Sequence, residues 1–191
     1  MISDNIQGWF NCPKLYKEMV DNAKDGAVFV EVGCWKGKSA SFMAETIKNS
    51  KKKINFYCVD TWKGTLTEHG HQEDPDVVND RLFEVFNENL KELDGYYTCI
   101  RGLSVDGAKQ FRNESIDFCY IDGLHEYEPV LRDLEIFVPL VRSGGIVGGH
   151  DYSYAPVRTA LRDYLRSNLI LRDITLFITD EYPPSFFFIN P

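Results

Sequence analysis

The chain has 191 residues, of which 43% are hydrophobic and 26% charged, and a net charge of −8. That length fits one domain with room for a buried core. An acidic chain argues against a general nucleic-acid binder, whose footprint is basic, and no apolar run is long enough to span a membrane. The first residues, Met1 to Asp4, lack the basic and apolar regions of a secretory signal. The five cysteines (Cys12, Cys34, Cys58, Cys99 and Cys119) are odd in number, and no C-x-x-C pair points to zinc. Buried free thiols in a reducing cytoplasm are the expectation.

Residues 1–26 read as a short helix around Leu15, Tyr16, Met19 and Val20, ending near Gly26. Trp9, Phe10 and Tyr16 either cover a site or pack on the sheet edge, and aromatic side chains mostly pack. Next comes an apolar run with an embedded carboxylate, Val28-Phe29-Val30-Glu31, then a glycine turn from Gly33 to Gly37, then a helical pattern from Ser39 through Ile47. Strand, glycine loop and helix open a nucleotide- or cofactor-binding α/β unit. A dinucleotide fingerprint would need a second glycine where Cys34 and Trp35 stand. A phosphate loop would match Gly37-Lys38-Ser39, but its first glycine would have to stand at Val32, so the loop is one residue short. The spacing E-x-G-x-x-x-G fits Glu31, Gly33 and Gly37 directly, and it resembles motif I of class I S-adenosylmethionine-dependent methyltransferases.

Residues 54–60 read as a second strand ending in Asp60, which lies 23 residues after Gly37. A carboxylate there can accept the two hydroxyls of a ribose, or it can cap a turn. Residues 61–75 form a polar connection that is long enough for a binding loop. Its Trp62 could stack on an adenine or wall a pocket, and His69 and His71 read as solvated histidines. Residues 76–93 read as one amphipathic helix with Val77, Leu82, Phe83, Phe86 and Leu90 on its apolar face. A third strand over 96–100 leads to Arg101-Gly102-Leu103-Ser104, at the edge where an adenine would lie, and a short helix over 106–111 follows. A fourth strand over 116–122 ends in Asp122. A helix runs from Pro129 through Leu140, and Ser143-Gly144-Gly145 ends it. A fifth strand over 146–149 leads into His150-Asp151-Tyr152. A helix over 157–169 and two strands, 174–179 and 185–189, joined by a Pro183-Pro184 turn, complete the chain. Such alternation predicts a doubly wound, mostly parallel Rossmann-like α/β sheet with an antiparallel C-terminal hairpin. Glu31, Asp60, Ser104, Asp122, His150 and Asp151 all fall at strand carboxyl ends, where ligands bind in such sheets.

Four motifs stand in order: Val-Glu-Val-Gly-x-Trp-x-Gly-x-Ser at 30–39, Val-Asp-Thr-Trp-x-Gly at 59–64, Ile-Asp-Gly-Leu-His at 121–125 and Gly-Gly-Ile-Val-Gly-Gly-His-Asp-Tyr at 144–152. Together, over residues 26–155, they resemble the class I methyltransferase group that includes macrocin- and cephalosporin-type O-methyltransferases. The resemblance implies a seven-stranded sheet and S-adenosylmethionine as cofactor. It places Glu31, Gly33, Trp35, Gly37, Lys38, Ser39, Asp60, Trp62, Ser104 and Asp122 around the cofactor. By similarity to cation-dependent O-methyltransferases, it also places Asp122, His150 and Asp151 as candidate ligands for Mg²⁺ or another divalent cation. His150 stands where the resemblance expects an acidic residue, so a metal role and a metal-free role for Asp122 both stay open. His125, three residues after Asp122, is the candidate general base, or else a histidine that shapes the pocket. The expected reaction is O-methylation of a small-molecule or sugar-containing acceptor, with homo-oligomerisation left open. The rival classes are a phosphate-loop nucleotide hydrolase, with Lys38 and Ser39 on the phosphates, and a cofactor-binding module that has lost its chemistry.

Overall fold

A computed structural model describes residues 1–65, 69–168 and 174–191. The ordered elements are α1 (Pro13–Asn22), β1 (Val28–Val32), α2 (Lys38–Ser50), β2 (Asn55–Asp60), α3 (His69–Gln72), α4 (Pro75–Val78), α5 (Leu82–Leu90), β3 (Thr98–Arg101), α6 (Ser104–Ala108), β4 (Ile116–Ile121), α7 (Tyr127–Phe137), β5 (Val141–Gly149), α8 (Ala155–Asn168), β6 (Phe177–Ile178) and β7 (Phe186–Ile189). The sheet has seven strands in the order β3-β2-β1-β4-β5-β7-β6. The first five strands in sequence run parallel, and β7 pairs antiparallel with both β5 and β6. The expected fold class is the one observed.

The strands form because their apolar runs are buried on both faces. Phe29, Phe56, Phe118 and Tyr120 face a core shared with α1, α2 and α5, where Tyr16, Met43, Ile47 and Phe86 sit. Val30, Val32, Cys119, Ile121 and Val147 face the opposite core, closed by Leu134, Phe137 and Leu161 of α7 and α8. Register brings the carboxyl ends level: Val32 lies opposite both Val59 and Ile121, and Ile121 opposite Gly149. The strand order reverses between β1 and β4, so a crevice opens above them. All five cysteines are free, and four are buried.

Several boundaries differ from the sequence expectation. The helix expected over 76–93 is broken: α4 stops at Val78, and α5 begins at Leu82. Between them Asp80 adopts φ 54°, a left-handed conformation that a short polar side chain tolerates better than most. The fifth strand starts at Val141, so Ser143-Gly144-Gly145 lies inside it; Gly144 takes φ 73° and the β4–β5 register shifts nearby, which marks a bulge. The penultimate strand shortens to Phe177–Ile178. The short helix after β3 begins at Ser104 and ends at Ala108. Leu169, the expected end of α8, and residues 66–68 of the long connection lie outside the described residues.

Candidate active site

The loop leaving β1 is shaped by Gly33 and by Asp60. Gly33 has φ 88° and donates its N–H to the Val59 carbonyl at 2.9 Å. A Cβ there would lie 2.0 Å from the Asp122 carbonyl oxygen, so the loops leaving β1 and β4 touch backbone to backbone. Asp60 Oδ2 accepts hydrogen bonds from the backbone N–H of Cys34 (2.7 Å) and Trp35 (3.0 Å), while Oδ1 accepts from Trp62 N–H at 2.7 Å. A carboxylate offers about four lone-pair sites, and three are taken by these amides. The capping role and the ribose role weighed for Asp60 therefore compete for the same oxygens.

Glu31 lies beneath this loop, 1% exposed. Its Oε1 accepts the Ser39 hydroxyl at 2.5 Å and its Oε2 the Tyr16 hydroxyl at 3.2 Å. Burial pushes its carboxyl up to about 8, with the Ser39 hydrogen bond opposing. Tyr16, which the sequence offered only as cover or packing, is thus a polar support of the site. Ser39 is committed to Glu31, and Lys38, which opens α2, is half-buried against Gly8.

The sign of the resulting pH dependence follows from the raised carboxyl. Below the ordinary value of 4.5, Glu31 is protonated whether the chain is folded or not, and its contribution is fully present. As pH climbs towards about 8, only the unfolded chain ionises, and stability falls. Glu31→Gln removes the titration. Its ligand-free melting temperature should gain on wild type steadily between pH 5 and 8, by the equivalent of roughly a few kcal/mol. A difference independent of pH in thermal denaturation would show that Glu31 is already ionised in the folded chain.

Trp35 and Trp62 have different surroundings. The Trp35 ring stacks on His71 at 3.8 Å and 12°, and its Nε1 donates to Gln7 Oε1 at 3.4 Å. His71 is therefore a stacking partner, not the solvated histidine expected; the side chain of His69 lies outside the described residues. Trp62 requires a correction. It is 0% exposed, packs on Phe83 and Phe86, and donates Nε1–H to the Trp35 carbonyl at 3.1 Å. It supports the glycine loop from the core and offers no face to an adenine. Lys36 was not anticipated: its ammonium sits 2.7 Å from both Asp74 and Asp76 and ties the long connection to the loop.

The second group gathers at the ends of β4 and β5. His125 Nε2 lies 2.9 Å from Asp151 Oδ2 and 3.7 Å from Asp122 Oδ1. His150 Nδ1 lies 3.0 Å from Asp151 Oδ2 and 3.8 Å from Asp122 Oδ1. His150 Nε2 lies 3.0 Å from Asn11 Oδ1. The orientation of Asn11 is set by its own amide, whose Nδ2 donates to the Pro183 carbonyl at 2.8 Å. Both His150 nitrogens therefore face acceptors, the arrangement a doubly protonated ring satisfies. Burial alone would lower the His150 pKa; the Asp151 hydrogen bond and the Asp122 charge outweigh it, and the net direction is up. Burial likewise works to raise Asp151, but hydrogen bonds from His125 and His150 win and hold it well below the usual carboxylate range.

All four sequence-predicted residues, Asp122, His125, His150 and Asp151, are thus brought together. Among the described residues, the group able to hold an ion is Asp122, His125 and Asp151, with ligand atoms within 4.8 Å of one another. His150 Nδ1 reaches the same two carboxylates, while its Nε2 faces Asn11. Asn11 and Pro183 were missed, since an asparagine in an N-terminal segment and a carbonyl in a proline turn carry no motif. Ser104 donates its hydroxyl to Asp133 Oδ1 of α7 at 2.5 Å, a partner the sequence did not suggest.

Comparison with known proteins agrees with this geometry. A family model described as a methyltransferase domain matches residues 30–152. An uncharacterised protein, R132 of Acanthamoeba polyphaga mimivirus, is 29% identical over 133 residues, which cover 68% of this chain and 53% of that protein. The chain therefore spans about half the length of the curated relative it matches. The structure of the O-methyltransferase NovP superposes with a TM-score of 0.68 at 16% identity, covering 93% of this chain and 78% of NovP. The calicheamicin methyltransferase CalS11, described as a TDP-rhamnose 3′-O-methyltransferase, superposes with a TM-score of 0.63 at 18% identity, covering 92% and 76%. These two likenesses establish the fold, and the family match covers the strand ends that carry the clustered residues. The chain belongs to the methyltransferase domain family.

Proposed function

We propose that the protein methylates a hydroxyl oxygen of a small, sugar-bearing acceptor, with His125 as the general base. The observation that carries this reading is the placing of His125 Nε2, 2.9 Å from one carboxylate and 3.7 Å from another, beside the crevice above β1 and β4. O-methyl transfer needs the acceptor proton removed and its oxygen held in line with the methyl group. The proton leaving the acceptor goes to the His125 imidazole, and Asp151 and Asp122 stabilise the imidazolium. His150, held by Asn11, fixes the Asp151 carboxylate from behind. The sugar acceptor is drawn from CalS11, a structural neighbour, and the net charge of −8 disfavours a polyanionic acceptor.

S-adenosylmethionine, when bound, supplies the methyl group. Gly33 and Gly37, each with φ 88°, shape the loop that faces it, and Trp35, Lys38 and Asp60 border the same crevice. Glu31 and Ser39 act from beneath, where a cationic ligand would favour the ionised carboxylate. Ser104 lies at the adenine end. The same residues fit a divalent cation as the alternative: Asp122, Asp151 and His125 would hold it, His125 would then be a ligand and not the base, and the cation would lower the pKa of the acceptor hydroxyl. That mixed oxygen and nitrogen set suits a transition ion as well as Mg²⁺.

Calorimetric titration with S-adenosylmethionine, with added Mg²⁺ and with a chelator, tests the cofactor half. Metal-independent binding is expected, and no binding to the folded protein under any condition would overturn the assignment. Transfer of labelled methyl to a panel of nucleotide sugars tests the acceptor. Labelling only of amine or thiol acceptors would sink the O-methylation reading.

A further inference from the structure

The far edge of the sheet carries an apolar surface that neither core uses up. On β7, Phe186 and Phe188 are buried in the core beneath α7 and α8. Side chains alternate along a strand, so Phe187 and Ile189 point to the opposite side, the side of α1. Phe177 of β6 stacks on Phe187 there, with ring centroids 4.9 Å apart at 10°, and Ile146 of β5 lies opposite Ile189. Helix α1 covers β4 on this side through Tyr16, whose ring meets Phe118 and Tyr120. Beyond α1 the sheet is open: Phe177 is 42% exposed and Ile189 52%. Contiguous exposed apolar surface marks an interaction site, whereas single exposed residues do not.

Between α1 and β7 this surface deepens into an open cavity of about 190 Å³. Leu15 and Phe187 supply its apolar lining, and Glu18, Asp180 and Glu181 stand around it against one cation, Lys14. None of these three carboxylates forms an ion pair with a described residue. A cavity of about 150 Å³ holds a benzene molecule, so this one has room for a single long side chain. The side chain that suits it has an apolar stem for Leu15 and Phe187 and a cation for the carboxylates, as arginine and lysine do. A guanidinium gains further from the faces of the Phe177 and Phe187 rings. A second copy of this chain is a poor occupant, because a two-fold contact sets the same acidic rim against itself.

We propose that this face docks a segment of another protein in which arginine stands among apolar side chains. The arginine enters the cavity between α1 and β7, and its apolar neighbours cover Phe177 and Ile189.

Calorimetric titration of the full chain with the end-blocked peptide Leu-Arg-Leu-Leu-Arg-Leu tests this. Its control, Ser-Arg-Ser-Ser-Arg-Ser, keeps the charge and loses the apolar contacts. Wild type should bind the leucine peptide at least about tenfold more tightly than the serine peptide. The combined variant Glu18→Gln, Asp180→Asn and Glu181→Gln keeps the shape of the rim and removes its charge. It should melt like wild type and lose about tenfold in affinity for the leucine peptide. Phe177→Ser should erase the preference for leucine over serine. Equal binding of the two peptides by wild type would reduce the face to a general acidic surface and overturn the assignment. So would binding of neither peptide, or an affinity unchanged in the combined variant. Sedimentation velocity of the wild type alone addresses the other occupant. A dimer that dissociates in Phe177→Ser would give the face to a second copy and overturn the partner assignment.

Discussion

His125→Ala is expected to lower turnover by about 10² to 10⁴-fold while leaving affinity for S-adenosylmethionine within about twofold. The split follows from where the ring sits. His125 Nε2 points at Asp151 and Asp122, on the far side of the β4 exit from the Asp60 carboxylate and the Glu31–Ser39 pair. Removing the imidazole leaves the glycine loop and its supports intact and takes away the group that receives the acceptor proton. Asp151→Asn should follow it in direction, because the amide no longer stabilises the imidazolium, and should also loosen His150. Single-turnover rates and calorimetric affinities separate the two readouts. A parallel loss of both in His125→Ala would make the ring a structural element of the β4 loop and would leave the reaction without a base.

The second large effect is on folding. Gly33→Ala should prevent accumulation of folded protein, or lower its melting temperature by roughly 10 °C or more, the equivalent of about 4 kcal/mol or more in a domain of this size. The added Cβ would stand 2.0 Å from the Asp122 oxygen, 2.5 Å from its carbonyl carbon and 2.7 Å from the Gly123 nitrogen. All three are backbone atoms held by the β1–β4 pairing, so none can swing away. Gly26→Ala is the matched control. Gly26 has the same φ of 88°, yet nothing lies within 4 Å of its Cβ position. It should show only the cost of the left-handed conformation, about 1 kcal/mol. Similar melting temperatures for the two variants would mean that the β1 and β4 loops separate easily.

The sequence announces its sheet because strands buried on both faces must be largely apolar, and Val28–Val32, Asn55–Asp60 and Ile116–Ile121 each carry such a run around one or two polar residues. The acid–base cluster was legible for a related reason: strand carboxyl ends converge in a parallel sheet, so Asp122, His125, His150 and Asp151 had to come near one another. What could not be read was side-chain pairing across long stretches of chain. Lys36 finds Asp74, Asn11 finds His150, and Ser104 finds Asp133 through tertiary packing that no local period encodes. Trp62 was misread for the same reason. Its place after Asp60 suggested a ligand contact, and only the packing of Phe83 and Phe86 shows it turned into the core. The break at Asp80 was hidden because the apolar pattern continues across it while the backbone does not.

The two halves of the site are assembled from the chain in different ways. The residues proposed for the cofactor crevice fall between Glu31 and Asp122, all within the stretch that the family model matches. The acceptor side also draws on Asn11 and on the Pro183 carbonyl, both outside that stretch, and binds them to His150. Tyr152 N–H bonds the Pro184 carbonyl and joins the same junction. Under the proposed function, changes at the Pro183–Pro184 turn would therefore act on the acceptor side through Asn11 and His150, whereas the N-terminal segment also reaches the glycine loop through Tyr16 and Gln7. The junction of Asn11, His150 and the proline turn is thus where the first and last thirds of the chain are tied to the end of β5.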